Sequence, residues 1–214
     1  MRGVTIIKDD KPIHTGNDLD LVQTTKEINQ PDIQSYLVEV PGRNGLLNLT
    51  KGLTGNITYK NRTIKLEYLA TGKREDQLKK LDLFNTWHGD VITVIDDDTP
   101  DDYYIGEASV SHKWDGVLLT ITLSINAEPF RKSLQPTVIA FTLNTTPREV
   151  VLYNGGITLT PTVEVSGDAK ITQNNTTYNL STGTYSALEL KTGQNLITLS
   201  GTGSVSISFE EARI

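Results

Sequence analysis

Five aspartates between positions 96 and 102 (Asp96, Asp97, Asp98, Asp101 and Asp102) form the densest group of chemistry-bearing side chains in the sequence. Such a group suggests two activities. Hard cations are held by several carboxylate oxygens, and glycosidases use a carboxyl pair whose pKa values are pushed apart. The spacing lacks the alternation and central glycine of a calcium loop, and Pro100 interrupts it. Consecutive, fully solvated aspartates cannot hold their pKa values apart, so the cluster reads as a solvated loop between strands. The three histidines, His14, His88 and His112, are scattered, and no pair has ligand spacing. The absence of cysteine excludes thiolate chemistry, a cysteine zinc site and disulfide bonds. No G-x-S-x-G elbow offers a serine nucleophile, and Gly201-Thr202-Gly203 lies between strands rather than before a helix. These residues point away from an enzyme and imply no cofactor and no metal.

The elements around them are mostly strands. Residues 63–69 alternate, with Ile64, Leu66 and Tyr68 on one face, and 57–59 and 117–125 alternate in the same way. Residues 91–95 are a continuous apolar run, as expected of a strand covered on both faces. Asp115-Gly116 between 109–113 and 117–125 predicts a two-residue hairpin turn of type I′, and Asp101-Asp102 marks another turn before 103–105. One segment reads as a helix, 74–87, with Leu78, Leu81, Leu83, Phe84 and Trp87 at helical spacing and Gly89 just beyond. Residues 40–59 are dense in backbone-shaping residues. Pro41, Gly42, Asn44 and Gly45 force a sharp turn, which Leu46, Leu47 and Leu49 are expected to fasten to a core.

The texture changes near residue 130. Residues 1–130 hold 14 basic and 20 acidic side chains, whereas 131–214 hold 6 of each, with Thr, Ser, Asn and Gly taking over. Neither part has the excess of positive charge that a phosphate-binding face needs, so no specific nucleic acid is expected as a partner. No apolar run is long enough to span a membrane, and the four-residue run near the N-terminus is too short for a secretory signal, so synthesis in the cytoplasm of the producing cell is expected. Pro129 and Pro136 bracket a short linker. Short strands are then predicted at 137–143, 149–153, 158–165, 169–172, 185–190, 195–200 and 204–209, punctuated by glycine turns at Gly167-Asp168 and Gly201. The fold class is therefore mostly β. An N-terminal α+β domain, 1–130, has one helix packed on β-sheets, and a C-terminal domain, 131–214, is a jelly-roll β-sandwich. A sandwich of this kind invites a second reading, a carbohydrate-binding module for host cell-wall glycans. Both tryptophans lie in the first part, so the best-placed aromatic platform in the second is Tyr178, among Asn174, Asn175 and Thr177.

Several phrases resemble a known family. V-P-G-R-N-G at 40–45, R-T-I-K-L-E-Y at 62–68, a helix ending in Trp-His-Gly, the acidic hairpin followed by Tyr-Tyr-x-Gly at 103–106, and N-A-E-P-F at 126–130 occur in order. Together they resemble the distal tail proteins of siphophages over most of the chain. The resemblance implies a structural hub at the virion tail tip. Its N-terminal domain would close a hexamer ring, with two rings back to back as a further form. The ring would join the tail tube protein to the tail-associated protein, and a galectin-like C-terminal domain would project outward to carry receptor-binding protein or contact glycans. This chain shows no inserted carbohydrate module. A ring subunit needs exposed strand edges and shaped loops, so Gly42, Arg43, Asn44 and Gly45, with Arg62, Ile64, Leu66 and Tyr68, are the candidate inter-subunit residues. The turn either presents Arg43 to a neighbour's carboxylate or simply closes a strand pair.

Overall fold

A computed structural model describes residues 2–50, 52 and 57–214; Lys51 and residues 53–56, inside the shaped segment at 40–59, lie outside the described residues. The chain divides into two compact units, one running to Arg131 and including Ile214, the other Lys132–Arg213. The first holds β1 (Val4–Lys8), β2 (Lys11–His14), β3 (Leu21–Ile28), β4 (Leu37–Val38), β5 (Leu47–Asn48), β6 (Arg62–Ala70), α1 (Arg74–Asn85), β7 (Val91–Asp96), β8 (Asp102–Asp115) and β9 (Leu118–Ala127). β10 (Arg131–Ser133) straddles the division. The second unit holds β11 (Thr137–Thr142), β12 (Arg148–Asn154), β13 (Thr162–Gln173), β14 (Thr176–Leu180), β15 (Gly183–Tyr185), β16 (Gly193–Phe209) and β17 (Ala212–Arg213). The fold is mostly β, with one helix among the described residues.

In the first unit an antiparallel sheet runs in the order β2-β1-β7-β8-β9-β6-β3. From β1 through β7, β8 and β9 to β6, the strands bury the same face. Register places Leu66 opposite Leu123 and Leu123 opposite Val110, and Ile64 opposite Ile125 and Ile125 opposite Ala108. The sheet curls around that face. Lys26 of β3 donates to Asp96 at the end of β7 at 2.9 Å, although three strands separate them. In a flat sheet they would lie about 19 Å apart, four inter-strand spacings.

α1 caps one end of the curl. Leu81, Phe84 and the following Trp87 enter the core, where the Phe84 ring lies 5.7 Å from Tyr68 and 4.6 Å from Trp87, centroid to centroid. Gln77, buried, donates to the carbonyls of Ala70 (2.9 Å) and Val117 (3.0 Å), which end β6 and precede β9. Leu78, expected on this face, is 41% exposed, because the buried stripe runs through 77, 81 and 84. The hairpin between β8 and β9 turns at Gly116-Val117, one residue later than expected. Glycine has positive φ at the first central position, the type II′ arrangement, with Asp115 and Leu118 paired across the turn.

The second unit departs further from its sequence reading. Gly167 and Gly201 do not end strands. β13 and β16 pass through them as two long strands paired along twelve residues of β13. Both strands bury their odd-numbered side chains throughout (Val163, Val165, Ala169 and Ile171; Ile197, Leu199, Val205 and Ile207). No helix in this unit covers that face, so the sheet covers it by folding over on itself. The fold lies where Gly167 pairs with Gly203 and Ala169 with Gly201. The backbones press together there, with φ of 105°, 137° and 91° at Gly167, Gly201 and Gly203. On one side of this corner β13 and β16 pair with β15 and β11, and on the other with β14 and β12. The result is a two-layered sandwich made from one bent sheet.

A Cβ on Gly203 would sit 1.8 Å from the Ser166 carbonyl oxygen, with no side chain that could yield. Gly203→Ala should therefore lower unfolding free energy by more than about 3 kcal/mol. Gly116→Ala, with nothing within 4 Å of its would-be Cβ, should cost about 1 kcal/mol from its positive φ alone. Urea unfolding of the two variants distinguishes the cases, and equal losses would contradict the corner.

Candidate functional site

The acidic turn is solvated at Asp97, Asp98 and Asp101, as expected from sequence, but its flanking carboxylates are not. Asp96 and Asp102 are buried, at 5% and 6% exposure. Asp96 receives Lys26, Asp98 pairs with the same ammonium, and Asp102 faces Arg131 at 3.4 Å. Asp97 accepts from the Gly3 amide at 2.8 Å and lies 3.1 Å from His14 Nε2. These carboxylates serve the open end of the curled sheet, opposite α1, where each is matched by a donor. Beside them Arg2, Gly3, Gln23, Lys26 and the aspartates line a small polar cavity of about 250 Å³. His14 is fixed by its other nitrogen, which accepts from the Gly16 and Asn17 amides at 3.1 and 2.8 Å. His88 Nδ1 likewise accepts from the Val110 amide at 2.9 Å, tying the end of the helical segment to β8. No group of three His, Asp or Glu side chains among the described residues is placed to hold a metal ion.

Of the candidate inter-subunit residues, Ile64, Leu66 and Tyr68 are in the core, at 1%, 1% and 0% exposure. β6 lies between β9 and β3, so neither its side-chain face nor its backbone edge is available to a neighbour. Alternation signalled a strand but not which face was covered. Arg62, also buried, is a clamp. Its Nε donates to the Pro129 carbonyl at 2.9 Å, a second guanidinium nitrogen reaches the same oxygen, and its carbon lies 5.3 Å from the Tyr104 ring centroid. Tyr59 adds an edge-to-face contact with Phe130 at 5.5 Å. The N-A-E-P-F segment is thus held back against the start of β6. Burial lowers the Arg62 pKa from its ordinary value, and the neighbouring Arg131 charge adds to this.

Tyr178 does not stand as an exposed platform. It lies on β14, opposite Ile171, half-buried with its ring packed on the second core. One edge borders a polar groove of about 460 Å³ with Asn174, Thr176 and Glu189. The ring face turned to the core is not available for a sugar to stack on.

Gly42, Arg43, Asn44 and Gly45 are all exposed, at the tip of a hairpin arm. Val40-Pro41-Gly42-Arg43 forms a type II turn, with Pro41 at its second position, φ of +80° at Gly42 and the Arg43 amide donating to the Val40 carbonyl at 3.1 Å. β4 and β5 pair below it, Leu37 opposite Asn48 and Val38 opposite Leu47. The arm continues through Leu49 N to Tyr36 O and Gln34 N to Thr58 O, both 2.8 Å, and a bridge between Ile33 and Tyr59. Leu46 does not fasten the turn to a core as expected. It is 54% exposed, with no further layer beside the two strands among the described residues. Ile33, Tyr36, Leu37 and Val38 are also exposed, at 43–52%. Neighbouring strand residues point to opposite faces, so Leu37 and Val38 leave both faces of the arm apolar and uncovered.

No family model matches this chain, and no curated protein sequence matches it. Among solved structures it is similar to the Dit protein (gp 19.1) of phage SPP1, described as a paradigm of the hub adsorption apparatus in phages infecting Gram-positive bacteria. The TM-score is 0.67 at 14% identity, over 99% of each chain. The chain therefore has a Dit-like fold along its whole length.

Two outcomes test this geometry. Arg62→Ala leaves a buried carbonyl without its charged donor, and should cost about 2–3 kcal/mol and speed proteolysis near Pro129. Arg2→Ala, at a side chain 90% exposed, should leave both readouts unchanged. The second outcome is a pH dependence. Burial alone would lower Lys26, but hydrogen bonds to Asp98 and Asp96 outweigh it and raise its pKa. The bond to Lys26 lowers that of Asp98. The clasp is therefore complete at neutral pH. It weakens as pH falls through the lowered Asp98 value, and again in strong alkali as Lys26 deprotonates. Lys26→Met should flatten the acid limb of stability measured by urea unfolding from about pH 7 to about pH 2. An unchanged acid limb would contradict the clasp.

Proposed function

We propose that this protein is a structural hub of a siphophage tail tip, with copies joined head to tail into a hexameric ring by the hairpin arm. The observation that carries this reading is the arm itself. A two-stranded hairpin is marginal alone, and this one exposes apolar side chains on both faces. Such an arm calls for a partner surface. A second copy supplies one, because an arm on one side of the subunit and its receiving surface on another make a heterologous contact, which closes into a ring when the rotation permits. The Dit-like fold, shared along the full length with a hub protein, supports the same assignment.

In this reading the ring joins the tail tube protein to the tail-associated protein, and the second unit faces outward toward receptor-binding protein. Formation of two rings back to back belongs to the same proposal, as does residence in the virion after synthesis in the bacterial host. The acidic balance of the first part suits a lumen that DNA crosses without adhering, since like charge opposes phosphate binding. The described side chains perform structural tasks, and the role is non-enzymatic. Arg43, exposed at the tip with no ion pair among the described residues, is placed to meet a neighbour's carboxylate.

Light scattering and negative-stain imaging of purified protein test the proposal. Rings are expected at high concentration. Leu37→Asp should abolish them and Arg43→Ala should weaken them, with monomer melting temperature nearly unchanged because both side chains are exposed. Strictly monomeric wild-type protein, or variants that assemble like wild type, would overturn the assignment.

A further inference from the structure

The sequence contains two Asn-Gly pairs, Asn44-Gly45 and Asn154-Gly155, and the structure gives them opposite environments. We propose that Asn44 is a site of spontaneous deamidation, a slow chemical change built into the tip of the arm. The reaction needs only water. The Gly45 backbone nitrogen, losing its proton, attacks the Asn44 side-chain carbonyl carbon. A C–N bond forms, the bond to Nδ2 breaks, and ammonia leaves with a proton. Water then opens the five-membered imide at either carbonyl, giving aspartate or isoaspartate.

Each requirement is met at Asn44. Glycine presents the attacking nitrogen without a Cβ to obstruct it. Gly45 has φ of +77°, and nothing lies within 4 Å of where its Cβ would be. Asn44 is exposed, and neither its side chain nor the Gly45 amide is hydrogen-bonded to a described residue. The side chain can therefore rotate toward the following peptide and the backbone can adjust.

Asn154 has the same dipeptide and none of this freedom. It is fully buried, its Nδ2 donates to the carbonyls of Ile157 (2.7 Å) and Leu190 (3.1 Å), and its Oδ1 accepts from the Gly156 amide at 2.9 Å. The Gly155 amide itself donates to Glu211 Oε1 at 3.0 Å. The nucleophile and the carbonyl are each engaged elsewhere, so ring closure would first require this part of the second unit to open.

The product places a carboxylate beside Arg43, and in the isoaspartate form inserts an extra backbone carbon at the tip. The effect on assembly rests on the ring reading above, but the modification does not. The test therefore reads them separately. Purified protein is held at mildly alkaline pH and physiological temperature, digested, and mapped by mass spectrometry for a gain of about 1 Da. The gain is expected at Asn44, many-fold faster than at Asn154. In denaturant both sites should convert at similar rates, and Asn44→Gln should remove the signal at 44 alone. Equal rates at the two sites in the folded protein, or an Asn44 that converts only when unfolded, would overturn the proposal. Light scattering of the aged and fresh samples then reports assembly, so loss of the ring reading and loss of the modification site remain distinct results.

Discussion

Each unit has one large apolar sheet face and, among the described residues, no second large sheet to set against it, and the architecture follows from covering that face. An uncovered face costs roughly 25 cal/mol for every Å² of apolar surface left in water. The first unit meets the constraint by curling and placing α1 over one end, with Leu81, Phe84 and Trp87 entering against Tyr68. The second has no helix, and folds its sheet across the corner at Gly167, Gly201 and Gly203. The open end of the first curl carries the charges. Lys26 with Asp96 and Asp98, Arg131 with Asp102, His14 with Asp97, and Arg62 on the Pro129 carbonyl all lie there. The aspartates flanking the acidic turn are part of the polar seal at the open end of this curled core.

The arm at residues 33–49 is the exception to this economy. Among the described residues its apolar side chains Ile33, Tyr36, Leu37, Val38 and Leu46 stay exposed, and in the proposed ring a second copy would cover them. Its tip is shaped by a type II turn rather than by packing, which gives Arg43 a defined position while leaving it in solvent. The same openness that presents Arg43 also leaves Asn44-Gly45 chemically exposed.

Sequence showed much of the first unit. Alternation at 63–69 is β6, the apolar run at 91–95 is β7, and the helical spacing at 74–87 is α1 with its following turn. It could not show which apolar stripe was buried for assembly and which for the core. Ile64, Leu66 and Tyr68 have the same pattern either way, and their burial depends on β3 and β9 pairing on both sides. Gln77 was missed because a polar residue at the head of an apolar stripe looks solvated until two unpaired carbonyls, Ala70 and Val117, are found above it. In the second unit glycine reads locally as a strand end, since a turn and a bend within a long paired strand have the same local signal. Tyr178 looks exposed for a related reason. Asn174 and Asn175 are the turn joining β13 to β14, while the ring packs on the core.

In the proposed ring the arm is an assembly element, stable only when another copy covers it. Hydrogen exchange of its backbone amides, followed from dilute to concentrated protein, tests this most directly. Fast exchange is expected across residues 33–49 in dilute protein and strong protection at the concentrations where rings appear, with β6 protected throughout. Equal protection of the arm at both concentrations, or rings that form while the arm still exchanges freely, would contradict this role.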